Sequence, residues 1–278
     1  MLLAGIFEYS FMQRAFLAGI LLALVIPCIG IIVVLKRLSL IGDALSHTSL
    51  AGVAAGLLFN INPIIAAIFA CIAATLSIEF ISKKLPKYSE LSIAIILSAG
   101  IGLAGVFSGM LDTPANFNSF LFGSIVAISD TEIIVISVLA VSVLLTFLLL
   151  FRELFYMAFN ERLAKLSGVP VKITSFVFTV MTAVTVAIAS RTVGALIVSS
   201  LMVVPVAAAL QFSQNYKKTL LISIVLAEAF TVGGLILSYY QGLRPGATIV
   251  LLGVAFFIAV LLVRFGAVLL KKHKSGKS

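Results

Sequence analysis

Nine apolar runs, near residues 15–35, 41–59, 62–82, 91–110, 131–151, 171–190, 193–212, 218–239 and 246–270, take up most of this 278-residue chain. Each approaches the roughly 20 residues a helix needs to cross a bilayer. In hydrocarbon every backbone N–H and C=O must be paired within the protein, so a span is a helix or part of a closed barrel. Barrel strands would read as segments of about ten residues with alternating polarity, and these unbroken runs do not. Only 10% of the residues are charged and 62% are hydrophobic, against about 25% charged in soluble domains. The expected fold is an all-α polytopic membrane protein, one transmembrane domain over residues 1–278 with about nine helices. The count is eight if one of the runs at 41–59 and 193–212, both interrupted by polar and small residues, fails to span.

The formal charge of +9 would suggest a nucleic-acid partner in a soluble protein, but here the cations lie between spans, where they set orientation. Lys36 and Arg37, Lys83 with Lys84 and Lys87, the group from Arg152 to Lys172, Lys217 with Lys218, and the tail Lys271–Ser278 fall in alternate connections. The opposite connections hold few Lys. Nine spans then place the N-terminus outside and the basic tail 271–278 in the cytoplasm. Cys28 and Cys71 stand in separate runs without CxxC spacing and read as small core residues. The first residues lack the basic and small-residue pattern of a cleavable signal peptide. No G-x-x-x-x-G-K-[ST] loop occurs, so ATP is not bound in the P-loop manner.

Two connections exceed tight turns. Within the outer one, 112–131, the piece Phe120–Ile128 is apolar enough for a re-entrant or interfacial helix. The cytoplasmic one, 152–170, fits a short helix with Asn160 as N-cap, Leu163 and Leu166 on one face, and Gly168 followed by Pro170 as a stop. A capped amphipathic helix at about 155–169 is expected to form a docking surface. The small-residue pairs Gly52/Gly56 and Gly105/Gly109 suit close helix approach.

Charged residues inside spans are costly and mark candidate sites. Asp43 and His47, four residues apart, share one helix face and carry ligand types suited to first-row divalent metals. The competing reading is a packing pair, with Asp43 in part capping its helix. Glu79, near the end of its run, is expected to pair with Lys83 across one turn. Glu228 sits mid-span between Ala227 and Ala229, with no cation within two turns. A carboxylate buried there needs a partner or a proton; a protonated, hydrogen-bonded Glu and a residue on a metal path both satisfy that need.

Three stretches carry a family resemblance: Leu38-Ser-Leu-Ile-Gly-Asp-Ala-Leu-Ser-His47, Phe159-Asn-Glu-Arg-Leu-Ala-Lys-Leu-Ser-Gly-Val-Pro-Val171, and Val193-Gly-Ala-Leu-Ile-Val-Ser-Ser-Leu-Met-Val-Val-Pro-Val-Ala-Ala-Ala209. In order and spacing they resemble the integral-membrane permeases of ATP-binding-cassette importers for manganese, zinc and iron. The resemblance implies a fold similar to the vitamin B12 permease type, with one fewer span, in a prokaryotic cell membrane. It implies a homodimeric pore, a separate cytoplasmic ATP-binding subunit, and an extracellular metal-binding protein that delivers the cargo. Phe159, Glu161, Leu163, Leu166 and Gly168 would belong to the ATPase-docking helix. Asp43, His47 and Glu228 would meet the transported metal, which is substrate, with no cofactor held permanently. Two alternatives are a permease for metal chelates or cobalamin, and a proton-coupled secondary transporter using Glu228. An enzyme is not expected, since no nucleophile–base pair or HExxH signature appears. The residues do not choose among manganese, zinc and iron.

Overall fold

The computed structural model describes residues 8–85, 88–111 and 128–275. Among them the chain forms eleven α-helices: α1 (Ser10–Leu35), α2 (Ile41–Leu58), α3 (Pro63–Lys84), α4 (Ser89–Gly109), α5 (Asp130–Leu149), α6 (Phe151–Phe159), α7 (Glu161–Leu166), α8 (Val171–Thr192), α9 (Ala195–Phe212), α10 (Tyr216–Gln241) and α11 (Pro245–Ser275). All nine apolar runs are helices. Seven of them are long and apolar enough to cross a membrane. The two that fall short, α2 and α9, are the two interrupted runs. The Phe120–Ile128 helix falls almost wholly outside the described residues, as does the end of the basic tail.

Helix ends follow local chemistry. The Asn62 side chain accepts from the N–H groups of Ile64 and Ile65, with Pro63 at the first helical position of α3. Ser129 and Glu132 form a reciprocal capping box at the start of α5. Asn215 caps α10 in the same manner, and Gly242, at φ 64°, closes it. Pro27 and Pro205 lie inside α1 and α9, as helices packed in a bilayer tolerate.

Helices α1, α2 and α9 form the centre. Helix α1 packs on α5, α9 and α10; α2 packs on α3, α4, α8 and α9; α9 also meets α10 and α11. Contacts between distant segments join ends that the Lys and Arg count assigns to one side. At the outer side Arg14 pairs with Asp130 at 2.7 Å and Arg191 with Glu132 at 2.8 Å. At the cytoplasmic side Lys36 pairs with Glu161 at 2.8 Å, and the rings of Phe155 and Tyr216 stand 5.0 Å apart. Glu79 pairs with Lys83 as expected, at 2.6 Å, and also accepts from Ser175 and Thr179 of α8. Cys28 and Cys71 are free and buried.

Small residues set how closely the backbones approach. A Cβ on Gly52 would stand 2.7 Å from Ala67 Cα, and one on Gly56 2.8 Å from Pro63 Cα, so both glycines hold α2 against α3. On Gly30 it would run into the Met202 carbonyl of α9; on Gly234 it would stand 2.7 Å from Ile249 Cα of α11. The second expected pair differs. Gly105 and Gly109 meet nothing within 4 Å, because α4 turns that face away from this chain's other helices. Gly52→Val is therefore expected to cost about 3 kcal/mol through overpacking against backbone and to cut the yield of folded protein severely. Gly105→Val should leave monomer yield unchanged, as checked by detergent extraction and size-exclusion profile.

Candidate metal pathway and docking helices

Helix α2 is the most enclosed element of the site. From Ile41 to Ala54 every residue is buried except Asp43 and His47, which are half-exposed. Their spacing places both on one face, so the only opening along this stretch is a carboxylate and an imidazole, one turn apart. Gly42 makes this possible: a Cβ there would stand 3.0 Å from Ser199 Cα and Cβ, so α2 lies tight against α9. Gly100 of α4 lies equally tight behind His47 and Thr48, where a Cβ would meet Thr48 N and Oγ1 at 2.9 Å.

Asp43 lies in the first turn of α2, where its charge suits the helix dipole, but makes no capping hydrogen bond. No side chain caps α2 at Leu40; instead Ser199 Oγ donates to Asp43 Oδ1 at 2.5 Å. That bond fixes one carboxylate oxygen and leaves the other available. Ser199 is itself part of a half-exposed line on α9 that continues through Val203 and Ala207, one helical turn at a time. The Ser199 hydroxyl thus lies beside Asp43.

Span counting places Asp43 and His47 in the cytoplasmic half of the bundle. In the structure α2 runs antiparallel to α3, with Gly56 against Pro63, Gly52 against Ala67, and Cys71 Sγ donating to Leu45 O at 3.4 Å. Asp43 is therefore level with the middle of α3, not with its Lys83–Lys84 end. Helix α2 is short because it begins inside the bundle.

Glu228 is half-buried midway along α10. It takes no hydrogen bond or ion pair from any described residue, so a hydrogen-bonded packing role has no partner among the described residues. Helix α10 packs on α1, α9 and α11, and α9 lies between it and α2. Among the described residues no three His, Cys, Asp or Glu side chains gather into a metal-holding group. The structure brings Asp43, His47 and Ser199 together and leaves Glu228 apart.

The expected docking segment 155–169 is two helices, not one. Helix α6 ends at Phe159; Asn160 then takes an extended conformation (φ −160°) and its side chain accepts from Arg162 N at 2.9 Å and Leu163 N at 3.2 Å, starting α7. An Asn in that conformation interrupts α6 and caps its successor, which is why the longer helix breaks there. Gly168, at φ 81°, ends α7 with its N–H donating to Lys165 O. Ala164 is fully buried beneath α7, whereas Phe159, Leu163 and Leu166 are 60%, 59% and 84% exposed. Lys36 holds Glu161, tying α7 to the end of α1.

Sequence reading missed Ser199, Gly42 and Gly100. Ser199 lies in a stretch already singled out for its resemblance, and paired hydroxyls in an apolar run were its signal. The glycines gave none, since their role depends on which helix faces them.

A bundle of membrane-crossing helices, with ionisable residues on one enclosed internal face and a break of short apolar helices at one end, defines a membrane transport subunit. The chain matches the family model described as the ABC 3 transport family over residues 8–264, and it belongs to that family. It is 35% identical over 256 residues to the probable metal transport system membrane protein of Treponema pallidum (strain Nichols), covering 91% of this chain and 96% of that protein. It is 30% identical over 254 residues to the manganese import system permease protein ScaB of Streptococcus parasanguinis, 91% of each chain. It is 29% identical to the high-affinity zinc uptake system membrane protein ZnuB of Haemophilus influenzae over 92% of this chain and 98% of that one. Among solved structures, PsaBC from Streptococcus pneumoniae in complex with Fab superposes with TM-score 0.83 at 27% identity, over 93% of this chain and 94% of that one.

If Ser199 holds the Asp43 carboxylate, Ser199→Ala is expected to lower metal uptake about tenfold, the loss of one hydrogen bond to a charged group. Ser199→Thr, which keeps the hydroxyl, should retain most activity. Uptake of a metal isotope, normalised to permease in the membrane, checks both.

Proposed function

We infer that the chain is the membrane-spanning permease subunit of an ATP-driven importer of divalent transition metal ions, with ATP hydrolysis on a separate subunit. One observation carries the metal reading: of the fourteen residues of α2 from Ile41 to Ala54, twelve are buried and the only open positions are Asp43 and His47. A chelate or cobalamin permease needs no coordinating pair on an enclosed helix face. Manganese and zinc are the metals in the names of the relatives ScaB and ZnuB, and an Asp/His set accepts either. Iron shares the same ligand preferences and is a third arm of the test.

Asp43 and His47 supply one oxygen and one nitrogen donor, with the Ser199 hydroxyl beside them. Such a set is incomplete for Mn2+ or Zn2+, so water fills the remaining positions. Incompleteness suits a pathway, where binding must admit an ion and also release it. Glu228, on a different helix, would act as a second contact along the way. A second copy of the chain would complete the pore, an extracellular metal-binding protein would load it, and a cytoplasmic ATPase would seat on α6–α7. The exposed side chains of Phe159, Leu163 and Leu166, with Glu161 and Gly168 fixing α7, supply the apolar face such a helix inserts into a partner's groove.

Metal accumulation in cells lacking the chain tests the function: uptake of manganese, zinc and iron isotopes should fall for at least one metal, and unchanged uptake of all three would exclude the reading. Asp43→Asn and Glu228→Gln keep side-chain shape and remove the charge, so each should reduce uptake more than tenfold at wild-type protein yield. Normal uptake by Glu228→Gln would take that residue off the path. Leu163→Asp should leave membrane insertion intact and abolish co-purification of the ATPase subunit; retention of the ATPase would remove α7 as the docking element.

A further inference from the structure

A cavity of about 630 Å3 opens at the cytoplasmic end of the bundle, between the α1–α2 turn, the end of α3, and the α7–α8 region. Its inner walls mix Ile78 and Phe178 with the hydroxyls of Thr75, Thr179 and Thr182, and its mouth holds Lys36, Arg37, Lys83 and Lys172 against Glu79 and Glu161. Two of the cations are neutralised in place: Lys36 by Glu161 at 2.8 Å, and Lys83 by Glu79 at 2.6 Å. Arg37 and Lys172 have no acidic partner among the described residues. Glu90 borders Arg37 in an adjoining recess without closing an ion pair. The mouth therefore carries surplus positive charge, which repels a divalent metal, and Asp43, His47 and Glu228 do not line the cavity.

The backbone at Arg37 points the same way. Arg37 sits at φ 59°, with its N–H donating to Val34 O and the next N–H, of Leu38, donating to Val33 O. This is the left-handed helix closure at which glycine is favoured. A side chain there strains the backbone, and strain of this kind clusters where a side chain is used for binding. Beside the cavity, Leu76 and Phe80 of α3 and Ile173 and Phe176 of α8 are exposed, an apolar border fit for acyl chains. Basic pockets between membrane helices on the cytoplasmic side suit anionic lipid headgroups.

We propose that this cavity binds the phosphate headgroup of an anionic phospholipid, with Arg37 and Lys172 on the phosphate and the acyl chains along the α3–α8 border. The proposal is independent of the transported metal.

The test uses the full chain, purified in neutral detergent and titrated with phosphatidylglycerol, phosphatidylcholine or inorganic phosphate, read by native mass spectrometry and thermal unfolding. Phosphatidylglycerol should be retained and should raise the unfolding temperature, and phosphatidylcholine should do neither. Arg37→Gly relieves the backbone strain, so lost binding in that variant cannot be ascribed to misfolding. It and Lys172→Gln should each weaken phosphatidylglycerol binding roughly fivefold, and together by more than tenfold, while Lys217→Gln, outside the cavity, should not. Equal binding by the double variant, equal retention of phosphatidylcholine, or the same loss in Lys217→Gln would overturn the proposal. Stabilisation by inorganic phosphate equal to that by phosphatidylglycerol would overturn the lipid assignment in favour of a free anion site.

Discussion

Backbone-to-backbone approach through small residues is the interaction on which the rest of this molecule depends. Within a bilayer, lipid tails compete equally for apolar side chains, so helices associate by fitting closely rather than by escaping water. Gly52 and Gly56 seat α2 on α3, Gly100 seats α4 on α2, and Gly30 and Gly42 seat α9 on α1 and α2. Helix α2 is enclosed because neighbours on three sides come this close. Enclosure in turn gives Asp43 and His47 their meaning: on a lipid-facing helix they would be a cost, whereas here they mark the one face left open.

The helices were legible because bilayer thickness imposes a length that apolar runs either meet or miss. The two ambiguous runs, 41–59 and 193–212, were ambiguous for a physical reason. They carry Asp43, His47, Ser199 and Ser200 along with the glycines, and each such residue lowers hydropathy where the site is built. Asn160 was legible as a cap because its short amide satisfies N–H groups two and three residues on, whatever surrounds it. The bond from Ser199 to Asp43 was not, since it depends on which helix faces α2. The contrast between Gly52 and Gly105 was equally hidden, since the same spacing serves a packed seam or an open face, depending on what lies opposite.

Four carboxylates near helix ends are paired with cations: Asp130 with Arg14, Glu132 with Arg191, Glu161 with Lys36 and Glu79 with Lys83. Glu79 also accepts from two hydroxyls on α8, the helix that follows α7, and Lys36 reaches Glu161 within α7. The end of α3 and the end of α1 are thus each joined to the α7–α8 region by polar contacts, so displacement of α7 by a bound partner would be felt at both. Among the described residues, Asp43, in the first turn of α2, and Glu228, midway along α10, pair with no cation.

That difference bears on how a doubly charged ion could cross. A carboxylate already paired with Arg or Lys offers little attraction to a metal, whereas Asp43, held by a serine hydroxyl, and Glu228 face no competing cation among the described residues. In the proposed function two such groups at separate stations would serve transit better than one complete cage. A cage of four or more protein ligands would replace the ion's whole hydration shell and hold it, while Asp43 and His47 with a nearby hydroxyl replace only part of it and leave water to fill the rest. In the proposed pathway Glu228, on the far side of α9, would repeat the partial replacement at a second position. Stations that are separate and incomplete would let an ion enter and leave, as conduction demands.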